Sequence, residues 1–186
     1  MGLSLVTGPS TYPVTADEAK LHCRIDGTDE NTLVDDLIAA ATDYVEQYTG
    51  RAIVSQTWKV TQDAFSDAIM LPKGNIQSVT HVKYYDTAGD LQTVSSDDYT
   101  LDDANDPAWV VINSDKSWPD TMTGVNVVQV TYVAGYATVP TSVKRAILLL
   151  INQWYENRSA ATEVNMSAMP NAVEALLANY RSYASS

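Results

Sequence analysis

Apolar residues recur with a period near 3.6 at both ends of this chain and near 2 in its middle. Val143, Ala146, Ile147, Leu150, Ile151 and Trp154 fall at i, i+3, i+4, i+7, i+8 and i+11, a continuous stripe on a helix expected over 140–158. Pro140 suits its first turn, where a missing N–H costs nothing. Val34, Leu37, Ile38, Ala41, Val45 and Tyr48 repeat the spacing on a second long helix, ended by Thr49-Gly50. Thr28, Asp29 and Glu30 offer it a cap and negative charge. Thr15-Ala-Asp-Glu18 is a capping box for a short helix over 16–25, with Ala19, Leu21, Cys23 and Ile25 inward and Asp26-Gly27 as its stop. Pro170 opens a last helix with Val173, Leu176, Leu177 and Tyr180 on one face. Ordering each backbone costs about 1–2 kcal/mol per residue, against roughly 1.5–3 kcal/mol gained per large side chain buried, so the stripes must cover one another.

From Arg51 onward, segments 53–62, 67–71, 76–85, 91–95, 97–101, 108–112 and 125–133 are rich in Val, Ile, Thr, Tyr and Trp. Pro72-Lys-Gly74 and Thr87-Ala-Gly89 separate some of them as turns. Residues 1–14 read as an extended arm, and the small polar run 159–169 as a mobile loop. The expected fold is α+β. A helical bundle domain is built from both chain ends (1–52 plus 138–186), and an antiparallel β-sandwich or small-barrel module (53–137) is inserted between them.

The chain has 186 residues, 45% of them apolar, enough for one substantial core or two small linked ones. It has no run of apolar residues long enough for a membrane helix, and its opening MGLSLVTGPS lacks the basic and apolar regions of a signal peptide. Net charge is −12 and the eleven Lys and Arg form no cluster longer than Lys144-Arg145. Tight DNA binding needs clustered cations, so specific binding is not expected, although acidic walls would let DNA slide past.

Chemistry finds little purchase. Cys23 is the single cysteine, which suits a reducing cytoplasm. His22 beside it would not face it on a helix, so a plain half-buried thiol is expected. The acidic run 97–106 (DDYTLDDAND) lacks the glycine and spacing of a calcium loop and reads as a solvated turn. G-x-S-x-G, P-loop, H-E-x-x-H and C-x-x-C patterns are missing, and His81 lies apart from His22, so no enzyme, metal or cofactor is expected. Trp58, Trp109 and Trp118 could line a ligand face in the β module, but cores and protein interfaces use such residues more often.

Several blocks taken together are distinctive. Glu18-Ala-Lys20 with His22, Arg24 and Asp26 precedes an acidic turn and a helix carrying Leu37-Ile38, Ala40-Ala41, Val45-Glu46 and Thr49-Gly-Arg51. Gln56-Thr-Trp58, Val130-Thr-Tyr-Val-Ala-Gly-Tyr136, Pro140, Trp154-Tyr-Glu-Asn-Arg158, Pro170-Asn-Ala-Val-Glu-Ala-Leu-Leu177 and Tyr180-Arg181 follow in order. This set resembles the tailed-phage head–tail connector (adaptor) proteins over nearly the whole chain, departing at Cys23, where Leu is usual. The resemblance implies a non-enzymatic virion protein of the neck, assembled in the host cytoplasm. Such a protein forms a homo-oligomeric ring, a dodecamer matching the portal, and carries the stopper or tail-completion protein. DNA would pass through the channel unbound.

The resemblance also implies that the C-terminal helix docks on the portal protein. Within it, Val173, Leu176, Leu177 and Tyr180, with Arg181 and Tyr183 beyond, form the expected contact, a face too apolar for water beside residue types that dominate interfaces. Trp154, Tyr155, Glu156 and Arg158 are expected to serve structure or subunit contacts. Arg158 would satisfy last-turn carbonyls and pair with a neighbour's carboxylate. The alternatives are a stopper or tail-completion protein and, from another class, a ligand-binding β module on a helical stalk.

Overall fold

The computed structural model describes residues 1–157 and 171–182. The capping box forms as the spacing requires. Thr15 Oγ1 accepts from the Glu18 N–H at 3.2 Å and Glu18 accepts from the Thr15 N–H at 2.8 Å, opening α1 (Ala16–Cys23). That helix stops earlier than Asp26-Gly27, because Arg24 already takes a left-handed φ of 56°. Ala19 is buried, but Leu21 is 83% exposed, against expectation. Two residues on a helix turn by about 200°, so both cannot face one core.

The second helix, α2, spans Asn31–Thr49 and ends on Gly50, whose φ of 71° is the left-handed cap that glycine adopts without strain. Its N-cap is Glu30, with no side-chain cap bond, so Thr28 does not play that part. Helix α3 covers Thr141–Glu156, and α4 covers Asn171–Leu177, followed by a 3-10 turn at Ala178–Tyr180. The α3 stripe from Val143 to Ile151 is fully buried against Val34, Ile38, Ala41 and Val45 of α2, Ala19 of α1, and Val173 and Leu177 of α4. All three expected stripes thus meet in one core.

The middle of the chain, joined by residues 2–7, forms two antiparallel sheets. The larger has the order β1-β2-β8-β4-β5, with β1 Gly2–Thr7, β2 Gln56–Gln62, β4 Ile76–Tyr85, β5 Leu91–Thr93 and β8 Val128–Ala134. The smaller has the order β3-β7-β6, with β3 Ala68–Leu71, β6 Tyr99–Asp102 and β7 Ala108–Ile112. Val60, Ile69, Leu71, Val82, Val110, Val128, Val130 and Tyr132 from both sheets share one core. The larger sheet runs from β1 to β5 without joining its ends, so the small-barrel alternative does not hold.

Two segments depart from the sequence pattern. Residues 2–7 pair with β2 in register from Gly2 opposite Thr61 to Leu5 opposite Trp58, so the arm belongs to the sheet and not to the helices. Ile53, expected to open a strand, is buried in the helical core instead. The two cores meet at Gly135, where a Cβ would lie 2.4 Å from the Val54 carbonyl oxygen and φ is 129°; glycine alone fits.

Candidate assembly interface

The junction between α2, the β sheets and the C-terminal segment is built around Arg51. Thr49 Oγ1 donates to the Val45 carbonyl at 2.7 Å and Gly50 turns the chain, which brings Arg51 beside Lys73 in a short parallel bridge. The Arg51 guanidinium donates from Nε to the Tyr180 carbonyl at 2.7 Å, from Nη1 to Asn75 Oδ1 at 3.5 Å, and forms an ion pair with Asp106. The Ser182 N–H donates to the Thr49 carbonyl at 2.7 Å. Tyr180 meets Tyr136 edge-on at 6.3 Å, and the Arg181 guanidinium sits 5.1 Å from the Tyr48 ring centroid. These contacts strap the end of the described chain onto the body.

That arrangement changes the picture of the C-terminal helix. Val173 and Leu177 are fully buried in the protein's own core, and Leu176 and Tyr180 pack against it. The expectation of a free apolar face is therefore corrected: α3 already covers it. Arg181 remains exposed, and Tyr183 lies outside the described residues.

The end of α3 is likewise engaged internally. Trp154 meets Tyr44 edge-on at 5.9 Å, and the Tyr155 hydroxyl donates to the Glu30 carboxylate. Glu156 is exposed, and Arg158 lies outside the described residues, as does the expected loop 159–169. Cys23 is half-buried, and burial first, then the Glu156 charge, pushes its thiol pKa up, away from the nucleophilic thiolate.

Sequence reading missed Glu46 as a structural hinge. Its carboxylate accepts from the Ile53 N–H at 2.8 Å and from Gln56 Nε2 at 2.5 Å, joining α2 to the start of β2. Burial is the largest influence on it and raises its pKa, against those two bonds, which lower it. Glu46 also borders a groove of about 460 Å³ between the β1 arm and α2, with Trp58 and Lys73 nearby and the Lys73 ammonium 4.7 Å over the Trp58 ring. Its signal was the V-E-x-x-T-G-R spacing, which places Glu46 and Thr49 in the last turn of α2 and Arg51 just past it.

Residues 14–183 match the family model described as head completion protein. The chain belongs to the head completion protein family. Among solved structures, a protein from the neck of an empty GTA particle, computed with C6 symmetry, is 26% identical over 98% of this chain and 96% of that one, with a TM-score of 0.77. One from the neck of the native GTA particle, computed with C12 symmetry, is 25% identical over the same shares, with a TM-score of 0.71. A third, from the virion of a native gene transfer agent (GTA) particle, is 24% identical with a TM-score of 0.76, over 98% of this chain and 96% of that one, and speaks to fold alone. No curated protein matches the sequence.

In the acidic run, Asp98 pairs with Lys116 at 3.2 Å, Asp106 with Arg51, and Asp102 Oδ1 accepts from the Ala104 N–H at 3.2 Å. Trp118 stacks on Phe65 at 4.5 Å, so this aromatic pair fills its own space. His81 is half-buried, and burial, then Lys83, lowers its pKa.

Proposed function

We propose that this chain is a non-enzymatic structural component of the neck of a tailed-phage-like particle, the head–tail adaptor that forms a ring beneath the portal. The observation that carries the reading is the end-to-end match, at 26% identity and a TM-score of 0.77, to a protein of a particle neck. One neck match was computed with C12 symmetry and another with C6, and a ring of twelve copies satisfies both. Each copy contributes a rigid body in which Arg51 fixes the C-terminal segment to the sheets. A net charge of −12 per copy makes the ring repel DNA phosphates, so the packaged genome passes without adhering.

In this reading the portal contact comes from the exposed end of the C-terminal segment, Arg181 with Tyr183 beyond, while half-buried Leu176 and Tyr180 hold that end against the body. The buried Val173 and Leu177 anchor that segment to its own domain. The test is comigration of the purified chain with purified portal rings in size-exclusion chromatography. An adaptor comigrates with portal. A stopper or tail-completion protein does not, and is retained by tail-side neck components instead.

A further inference from the structure

A ring of identical copies needs two different faces on each, because a head-to-tail interface repeats one patch against another. Two patches that share no lining residue have complementary character. The first is a knob. Leu21, at 83% exposed, exceeds every other exposed large hydrophobic residue described. It stands beside Glu18 and His22 on α1, Arg24 just past its end, and Arg145 and Leu148 on α3; the Glu18 carboxylate is already paired with Lys144 at 3.8 Å. Arg24 and Arg145 are both exposed, and neither has an ion-pair partner among the described residues. On a chain of net charge −12 these cations are a local exception.

The second patch is the groove of about 460 Å³ between the β1 arm and α2. Leu5 and Tyr12, 49% and 50% exposed, line it with Ala40 and Trp58. Asp43 borders it, and α2 also exposes Asp35 and Asp36. Its volume falls within the roughly 300–1,000 Å³ of pockets that enclose a compact ligand, so one leucine and its flanks fit. Lys73 is the groove's own cation, and it is occupied over the Trp58 ring. An apolar cleft with an acidic border and aromatic walls is the chemical complement of an exposed leucine between two arginines.

We infer that the Leu21 knob of one copy seats in the β1–α2 groove of its neighbour, with Arg24 and Arg145 meeting Asp43 and the acidic face of α2. This contact would close the neck ring, so the inference rests on the neck reading above. It names the face pair that the reading leaves open.

The test uses assembled particles carrying Leu21→Cys and Ala40→Cys together in a Cys23→Ala background, treated with a short bis-maleimide. A ladder of covalent multimers on a denaturing gel is expected. Particles that contain the chain only as monomers overturn the face pair while leaving the neck reading standing. If even the wild-type chain is absent from particles, the neck reading fails and the face pair with it. Charge reversal supplies an independent arm. Arg145→Glu should lower incorporation by about tenfold or more, as like charges meet at every contact, without changing the monomer's melt. Adding Asp43→Arg should restore incorporation. No loss with Arg145→Glu, or loss without restoration, contradicts the pairing.

Discussion

Replacing Arg51 by Met removes the fork that joins the C-terminal segment to the sheets while keeping most of the apolar stem. Arg51's side chain is 14% exposed and that of Asp106 33%. The strongest loss is the bond from Nε to the Tyr180 carbonyl, at 2.7 Å. A charge-assisted bond of this kind contributes about 1.5–3 kcal/mol. The Asp106 pair must be discounted, because a third of that side chain reaches water and will rehydrate; roughly 0–1 kcal/mol is appropriate. The Asn75 contact at 3.5 Å is too long to add much. Together these give about 1.5–4 kcal/mol. Urea melts should show the midpoint falling with an unchanged slope, and trypsin should cleave after Arg181 faster than in wild type. Arg51→Lys keeps the charge but not the fork, and should recover less than half the loss. A destabilisation under about 0.5 kcal/mol for Arg51→Met would refute the claim that this residue holds the C-terminal segment in place.

Three further outcomes follow from the same structure. Leu150→Ala, at a position 1% exposed between α2 and α4, should cost about 2–5 kcal/mol in a denaturant melt. Deleting residues 170–186 removes Val173 and Leu177 from the core and should cost at least about 3 kcal/mol, where a helix swinging free of the body would cost almost nothing. Glu46 has its pKa raised by burial, so the native state holds its proton more tightly than the unfolded chain. Its contribution to stability is full below the ordinary value of 4.5 and is lost as pH rises through the raised value. Glu46→Gln keeps an acceptor for Ile53 and Gln56 and removes that loss. The stability of the variant minus that of wild type should therefore rise with pH from about 4.5 upward, and a flat or falling difference in melts across pH would count against the burial of this carboxylate.

Much of this fold was written in local periodicity. The stripe from Val143 to Ile151 is buried where its spacing put it, and the Thr15–Glu18 box caps α1, because both depend on residues within a few positions of each other. Long-range partnership was less visible. Nothing local marks Gly2–Thr7 as the edge strand beside β2, since an extended arm and an edge strand share one backbone conformation. The fate of Val173 and Leu177 could not be read from their stripe, because the same apolar face can serve a core or a partner. Arg51 is the sharpest case. Its partners Asp106 and Tyr180 lie 55 and 129 positions away, and only the folded chain brings them together.

The central claim is that this chain forms the ring of a particle neck. Cryo-EM of the neck of particles assembled with it, reconstructed without imposed symmetry, tests that most directly. The account predicts twelve copies, as the C12 neck suggests, in a closed ring coaxial with the channel and in contact with the portal. Particles whose neck ring is built from another protein, with this chain absent from the channel axis, would contradict it.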